Sequence, residues 1–254
     1  MSQDIEITLS VVSHGQMLLV QKLLSDISQH CAGERIELIL TLNLQDEVTP
    51  DLSQFGFPVQ LLRNPVPLGF GANHNRAFSL SKGAFFCVLN PDVRLDANPF
   101  RILVQELDEP HVGVVAPMVV GGDGVQEDSA RRFPTPFSIL LRLMTGKHSA
   151  VYAFHGATYQ PDWVGGMFML FPQAVYRQVK GFDERYFLYY EDLDICGRLK
   201  LQGLHAVLSP VAKVTHAAQR SSHKSLRYFR WHVESMLRFF TSATFVGLWR
   251  KGFL

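Results

Sequence analysis

Over the first 117 residues, short apolar and β-branched runs alternate with stretches whose apolar residues recur at helical spacing, and this alternation restricts the fold more than any other feature of the chain. Runs at 5–13, 36–42, 58–62, 84–89 and 112–117 read as strands. Residues 18–27, 72–82 and 99–107 read as helices, the first with Leu19, Leu23, Leu24 and Ile27 at helical intervals. Strand, helix and strand in repeated order predict an α/β fold, a single Rossmann-like, mostly parallel sheet flanked by helices. With 254 residues, 47% of them hydrophobic and 19% charged, the chain can fill such a core. The rhythm changes after Pro117. Residues 121–136, rich in Gly, Asp, Arg and Pro, read as a long irregular loop. Beyond it, 164–171 reads as a strand, 191–202 as a helix, 205–208 as a short strand and 222–240 as a helix.

Charge and cysteine content narrow the setting. A formal net charge of +1 gives no electrostatic case for nucleic acid, which is not expected as a partner. Cys31, Cys87 and Cys196 are odd in number and form no CxxC pair, which suits a reducing compartment. The start MSQDIEITLS lacks a basic region followed by an apolar run, and WVGGMFMLF at 163–171 is too short to span a bilayer before Pro172. The expected location is therefore cytoplasmic, soluble or peripheral on the inner face of the plasma membrane. Residues 213–254 hold eight Lys and Arg against Glu234 alone, interleaved with aromatics. The predicted organisation is a domain over 1–240 and a basic, aromatic C-terminal tail over 241–254. That tail either packs on the core or lies on an anionic membrane.

In an open parallel sheet, ligands sit at the carboxyl ends of the strands. Three polar clusters fall at such ends: Ser13-His14, Asn90-Pro91-Asp92, and the acidic stretch 183–194. Pro91 stops a strand and fixes a turn, so Asp92 can present a carboxylate to a divalent cation; a ligand-free turn fits the same residues. Five acidic residues, among them Glu191, Asp192 and Asp194, lie amid Phe182, Tyr186, Phe187, Tyr189 and Tyr190. Carboxylates in a first helical turn favour the dipole, but aromatic walls around them also suit sugar rings. Gly69-Phe70-Gly71 before the helix carrying Asn75 offers close backbone approach to a ligand. No GxGxxG, GxxxxGK, GxSxG, HExxH or paired-cysteine zinc spacing occurs, which excludes several nucleotide, hydrolase and metalloprotease classes.

In order and separation, ITLSVVSHG, RNPVPLGFGANHNRAFSLSKGAFFCVLNPDV, RRFPTP, WVGGMFMLFPQAVYRQVKGFDERYFLYYEDLDICGRL and THAAQRSSHKS resemble the family 2 glycosyltransferases, in particular the rhamnosyltransferase-like branch that builds bacterial O-antigen and related polysaccharides. The resemblance implies a GT-A fold, inversion at the anomeric carbon, a nucleoside-diphosphate sugar donor with rhamnose the best match, a saccharide or lipid-linked saccharide acceptor, and Mg²⁺ or Mn²⁺. It implies Asp92 and His216 at the metal, and Asp192 as base with Glu191 the second choice. On the donor side it implies Ser13, His14, Asp46, Gly71, Asn75 and Asn90; on the acceptor side, Gly165, Gly166 and Tyr190. One departure stands out. The loop after the second strand reads LTLNLQDE, where only Asp46, and more loosely Asn43, match the family's base- and ribose-holding residues. A non-catalytic nucleotide-sugar or glycan-binding member of the same fold is the alternative.

Overall fold

The computed structural model describes residues 5–49, 51–145, 159–216 and 226–254. Its strands are β1 (Ile7–Ser13), β2 (Ile36–Leu42), β3 (Val59–Arg63), β4 (Phe85–Leu89), β5 (Val93–Arg94), β6 (Val112–Gly121), β7 (Ala130–Arg131), β8 (Trp163–Val164), β9 (Phe168–Pro172) and β10 (His205–His216). Its helices are α1 (Met17–His30), α2 (Phe70–Phe78), α3 (Phe100–Leu107), α4 (Pro136–Thr145), α5 (Gln173–Gln178), α6 (Glu191–Leu201), α7 (Leu226–Phe240) and α8 (Ala243–Arg250). One sheet runs in the order β3-β2-β1-β4-β9-β6-β10-β5, while β7 and β8 pair separately. β1 is parallel to β2 and β4, β2 to β3, and β6 to β10. β9 runs antiparallel to β4 and β6, and β5 antiparallel to β10.

Alternation along the strands divides the core between the two faces. Leu9, Val11, Cys87, Leu89, Phe168 and Leu170 meet α1 and α3 through Leu23, Leu24, Ile27, Phe100 and Leu103. Phe86, Val88, Met169, Phe171, Val114 and Ala116 meet Tyr176 of α5, Leu193 and Ile195 of α6, Phe239 of α7 and Leu248 of α8. A sheet buried on both faces needs the near-continuous apolar strands that the first half of the sequence supplies.

The later elements differ from the sequence reading in instructive ways. The expected strand at 164–171 is two strands, because Gly165-Gly166 lets the chain step from the small β7–β8 ribbon into the main sheet. The short strand expected at 205–208 continues to His216, across a register shift between Ser209 and Lys213 that absorbs Pro210. Within 121–136 the chain turns tightly at Gly124, with Gly121 N–H donating to the Val125 carbonyl, and then forms β7. Residues 241–254 contain α8, whose Thr244 and Leu248 are buried. Thr244 Oγ1 donates to Asp194 Oδ1 on α6 at 2.7 Å. The helix predicted from 222 is seen from Leu226; its first residues, and the THAAQRSSHKS motif after His216, lie outside the described residues. Among the described residues no helix is long and apolar enough to cross a membrane.

Candidate active site

Chain order reverses between β1, which is followed by β2 on one side, and β4, which is followed by β5 and β6 on the other, and a crevice opens beyond the carboxyl ends of such a pair. Ser13 ends β1, and Asn90-Pro91-Asp92 follows β4. Asn90 N–H donates to the Met167 carbonyl at 2.9 Å, and the turn closes with Val93 N–H on the Asn90 carbonyl. Arg94 anchors the turn from behind: its Nη2 donates to Asp26 Oδ1 on α1 at 2.7 Å, and Leu95 N–H donates to Asp26 Oδ2 at 3.1 Å.

β5 lies against the last residues of β10, with His216 opposite Val93. This register sets His216 Nε2 3.2 Å from Asp92 Oδ2. On its other side, His216 Nδ1 donates to Glu127 Oε2 at 2.7 Å. A carboxylate only accepts, so Glu127 fixes Nδ1 as a donor and turns Nε2 toward Asp92. The hydrogen bond to Asp92 raises the imidazole pKa to about 9; burial opposes the rise and Glu127 adds to it. Asp92 Oδ1 is buried without a partner.

The second group sits at the start of α6. Asp192 Oδ2 accepts the Gly166 N–H at 3.0 Å, and Oδ1 accepts the Leu193 N–H at 2.8 Å. Glu191 is buried, and its Oε2 has no partner. Burial and then the Asp192 charge push Glu191 well above the usual carboxylate range. Burial also raises Asp192, against the pull of its two backbone donors. Tyr189 and Tyr190 enter the helix with φ of 71° and 68°, a left-handed pair that costs about 1–2 kcal/mol per residue. The tertiary frame holds this entry and thereby aims the acidic pair.

Two short links join the groups: Asn90 N–H to the Met167 carbonyl, one residue from Gly166, and Gly165 N–H to the Ser129 carbonyl, two residues from Glu127. These bonds join the segments that carry Asp92, His216, Gly165, Gly166, Glu191 and Asp192. Other predicted site residues are placed differently. Ser13 donates to Glu47, whose Oε1 also accepts the Gly15 N–H at 3.0 Å; the neighbouring Asp46 is exposed. His14 Nδ1 lies 3.2 Å from Asn43 Nδ2. Asn75 is committed to structure: its Oδ1 accepts Tyr176 Oη and Phe182 N–H, and its Nδ2 donates to the Phe182 carbonyl and Glu184. Gly71 makes room for Phe182, since a Cβ there would sit 2.6 Å from the Phe182 Cβ. The Tyr190 ring packs on His232 and Phe239 of α7. Of the aromatics read around the acidic stretch, Phe182 and Tyr186 are buried in the core, Tyr189 and Tyr190 are half-buried and Phe187 is exposed. Of its five acids, Asp183 pairs with Arg185, Glu184 receives Asn75, and Asp194 pairs with Arg198.

Sequence reasoning passed over Glu127, Glu47 and a buried amide network. Asn64 Nδ2 donates to Asn43 Oδ1 and Asn73 Oδ1, while Asn43 also accepts Leu68 N–H, so the loop before α2 is held over the strand ends. Glu127 belongs to no motif; Glu47 adjoins Asp46 in the run QDE.

Known proteins resemble this chain in sequence and in fold. It is 25% identical to rhamnosyltransferase WbbL of Escherichia coli over 242 residues, 90% of each protein. It is 28% identical to an N-acetylglucosaminyl-diphospho-decaprenol L-rhamnosyltransferase of Mycobacterium tuberculosis over 75% of this chain and 70% of that one. The solved structure of GalNAc-T7 with UDP, GalNAc and Mn²⁺ superposes with a TM-score of 0.71 at 12% identity, over 93% of this chain and 47% of that chain. The mannosyltransferase PcManGT of Pyrobaculum calidifontis, with GDP-Man and Mn²⁺, gives 0.62 at 15% identity over 92% of this chain and 64% of that one. These likenesses show a shared GT-A fold. The sequence profile of the glycosyltransferase-like family 2 matches residues 6–233, and the chain belongs to that family.

Proposed function

We propose that this protein is an inverting glycosyltransferase that moves a sugar from a nucleoside-diphosphate sugar to a hydroxyl of a saccharide or lipid-linked saccharide. The observation that supports the reading is that the Asp92–His216 pair and the Asp192 carboxylate lie on segments joined by the Asn90–Met167 and Gly166–Asp192 bonds. The relatives named as rhamnosyltransferases, one with a diphospho-decaprenol acceptor in its name, support rhamnose as the sugar and a lipid diphosphate on the acceptor.

A divalent cation fits the donor side. Asp92 has a buried oxygen with no partner, and His216 turns a ring nitrogen toward the same carboxylate. Oxygen with one imidazole suits Mn²⁺ or Mg²⁺, and these two residues would hold it. When bound, the cation offsets charge on the departing diphosphate. Glu127 is then a positioning residue, keeping Nε2 of His216 directed at that spot. Ser13, His14 and Asn90, with Glu47 in place of Asp46, form the donor-side rim at the ends of β1, β2 and β4.

Asp192 acts as the base. Each of its oxygens spends one acceptor site on a backbone N–H and keeps another for the acceptor hydroxyl. The acceptor oxygen bonds to the anomeric carbon as the bond from that carbon to diphosphate breaks, and the proton passes to Asp192. One displacement inverts the centre, and no covalent intermediate forms.

The test is a screen of nucleotide sugars with Mg²⁺ and Mn²⁺, followed by turnover with Asp192→Asn. Donor binding survives in the variant, and transfer falls by at least about a hundredfold. Wild-type turnover in Asp192→Asn sinks the base assignment. Donor binding without any turnover in the wild-type protein makes it a binding member of the fold.

A further inference from the structure

The half-buried Phe70 opens α2 and is fixed through both its backbone and its ring. Its N–H donates to the Phe187 carbonyl at 2.8 Å. The flanking glycines permit that approach. A Cβ on Gly69 would lie 2.7 Å from the Phe187 carbonyl oxygen, as one on Gly71 would crowd Phe182. The ring packs edge-on against His74, with centroids 4.5 Å apart, and against Phe182 at 5.7 Å. Both partners are buried, and His74 Nδ1 lies 2.8 Å from Ser10 Oγ on β1. The same ring also reaches Gly166. A Cβ at Gly166 would stand 3.1 Å from Phe70 Cζ, 3.3 Å from Phe70 Cε1 and 3.6 Å from Asp192 Cβ.

We infer that Phe70 is a positioning residue for Asp192, its ring the wall against which the Gly166 peptide rests while it donates to that carboxylate. Two segments orient Asp192. One carries Gly166, whose N–H reaches Oδ2 at 3.0 Å. The other runs through Phe187 into the left-handed Tyr189-Tyr190 entry of α6. Phe70 touches both, the first with its ring and the second with its N–H. The ring has little room to retreat, because His74 and Phe182 are buried in a close-packed interior. A methyl at 166 must therefore displace either the ring or the peptide that holds Asp192. Misplacing a reacting group by about 1 Å can cost on the order of a hundredfold in rate. The role rests on Asp192 being the base, as proposed above; the contacts themselves do not.

The experiment is a cycle on the full chain: Gly166→Ala, Phe70→Leu and the two together, assayed beside Asp192→Asn. Gly166→Ala should lower kcat about tenfold or more, and Phe70→Leu, which thins the wall, about threefold. In the double variant the smaller side chain makes room for the added methyl. Its kcat should rise above that of Gly166→Ala, to within about threefold of wild type. Binding of Mn²⁺ with uridine or thymidine diphosphate, read by calorimetry, should be unchanged in all three, which separates lost positioning from a damaged donor site. If thermal melts show that Gly166→Ala does not fold, Phe70→Leu carries the test with the same split between kcat and nucleotide binding. The inference is overturned if either single variant keeps wild-type kcat, or if the double variant falls by the product of the two single losses. Wild-type turnover in Asp192→Asn sinks the base assignment and this role with it. An inactive Asp192→Asn beside a fully active Gly166→Ala sinks this role alone.

Discussion

Burial strips water from both Glu191 and Asp192, but Asp192 regains two backbone N–H donors while Glu191 Oε2 has none. Glu191 therefore keeps its proton to higher pH, and Asp192 is the member free to accept one. Transfer should rise with pH along an acid limb above the ordinary carboxylate range. Glu191→Gln should leave that limb in place, because the side chain it replaces is already neutral there; a limb shifted down by about a unit would show that Glu191 is charged. The stability effect has a definite sign. A carboxyl with a raised folded-state pKa favours the fold below its unfolded value and loses that contribution as pH rises through the folded value. Thermal melts of Glu191→Gln should thus gain on wild type at neutral pH and lose the advantage near pH 4. At His216, Glu127 holds the ring nitrogen that faces away from Asp92. Glu127→Gln should weaken Mn²⁺ binding about 10–100-fold, read by spin-resonance titration without donor, while the melting temperature stays close to wild type. Unchanged Mn²⁺ affinity would reduce Glu127 to a loop contact.

At the scale of elements, the segment from Phe182 to Tyr190 shows how local chemistry misleads. Its acids and aromatics, with Asp194 beyond them, fit both a capped helix start and a sugar-binding wall, but Phe182 and Tyr186 are buried in the core, and Asp183, Glu184 and Asp194 have structural partners. Asn75 is the clearest case. Its amide clamps the loop at Phe182, and Gly181 can approach it only without a side chain, since a Cβ would lie 2.3 Å from Asn75 Oδ1. Asn75→Ala should therefore cost about 1–3 kcal/mol in denaturant melts and leave nucleotide affinity unchanged. A variant with native stability and lost affinity would restore Asn75 to the donor site. Likewise β8 and β9 read as one apolar run, because the Gly165-Gly166 step between them shows its meaning only when Ser129 and Asp192 arrive from elsewhere.

For the whole molecule, the C-terminal segment is where the extent of the cooperative fold is decided. Thr244 bonds Asp194, Leu248 is buried, and Gly197 of α6 lies so close that a Cβ there would be 2.6 Å from Thr244. Deleting 241–254 should expose this face and lower the melting temperature by several degrees or more; a full-strength melt would show that α8 is an appendage. Sequence alone determined the order of strands and helices up to Pro117 except for the two-residue β5, because burial on both faces of a parallel sheet writes itself into continuous apolar runs between amphipathic stretches, and Val93–Arg94 is too short to leave such a run. It also determined the turn at Asn90-Pro91-Asp92 and the acidic start of α6, since proline and helix-end preferences are local. Only the tertiary structure decided that His216 lies between Asp92 and Glu127, that Glu47 rather than Asp46 meets Ser13, and that Asp192 receives Gly166. Those contacts join residues 26 to 124 positions apart, and their partners are chosen by sheet register and by the competition for buried donors, which no local pattern records.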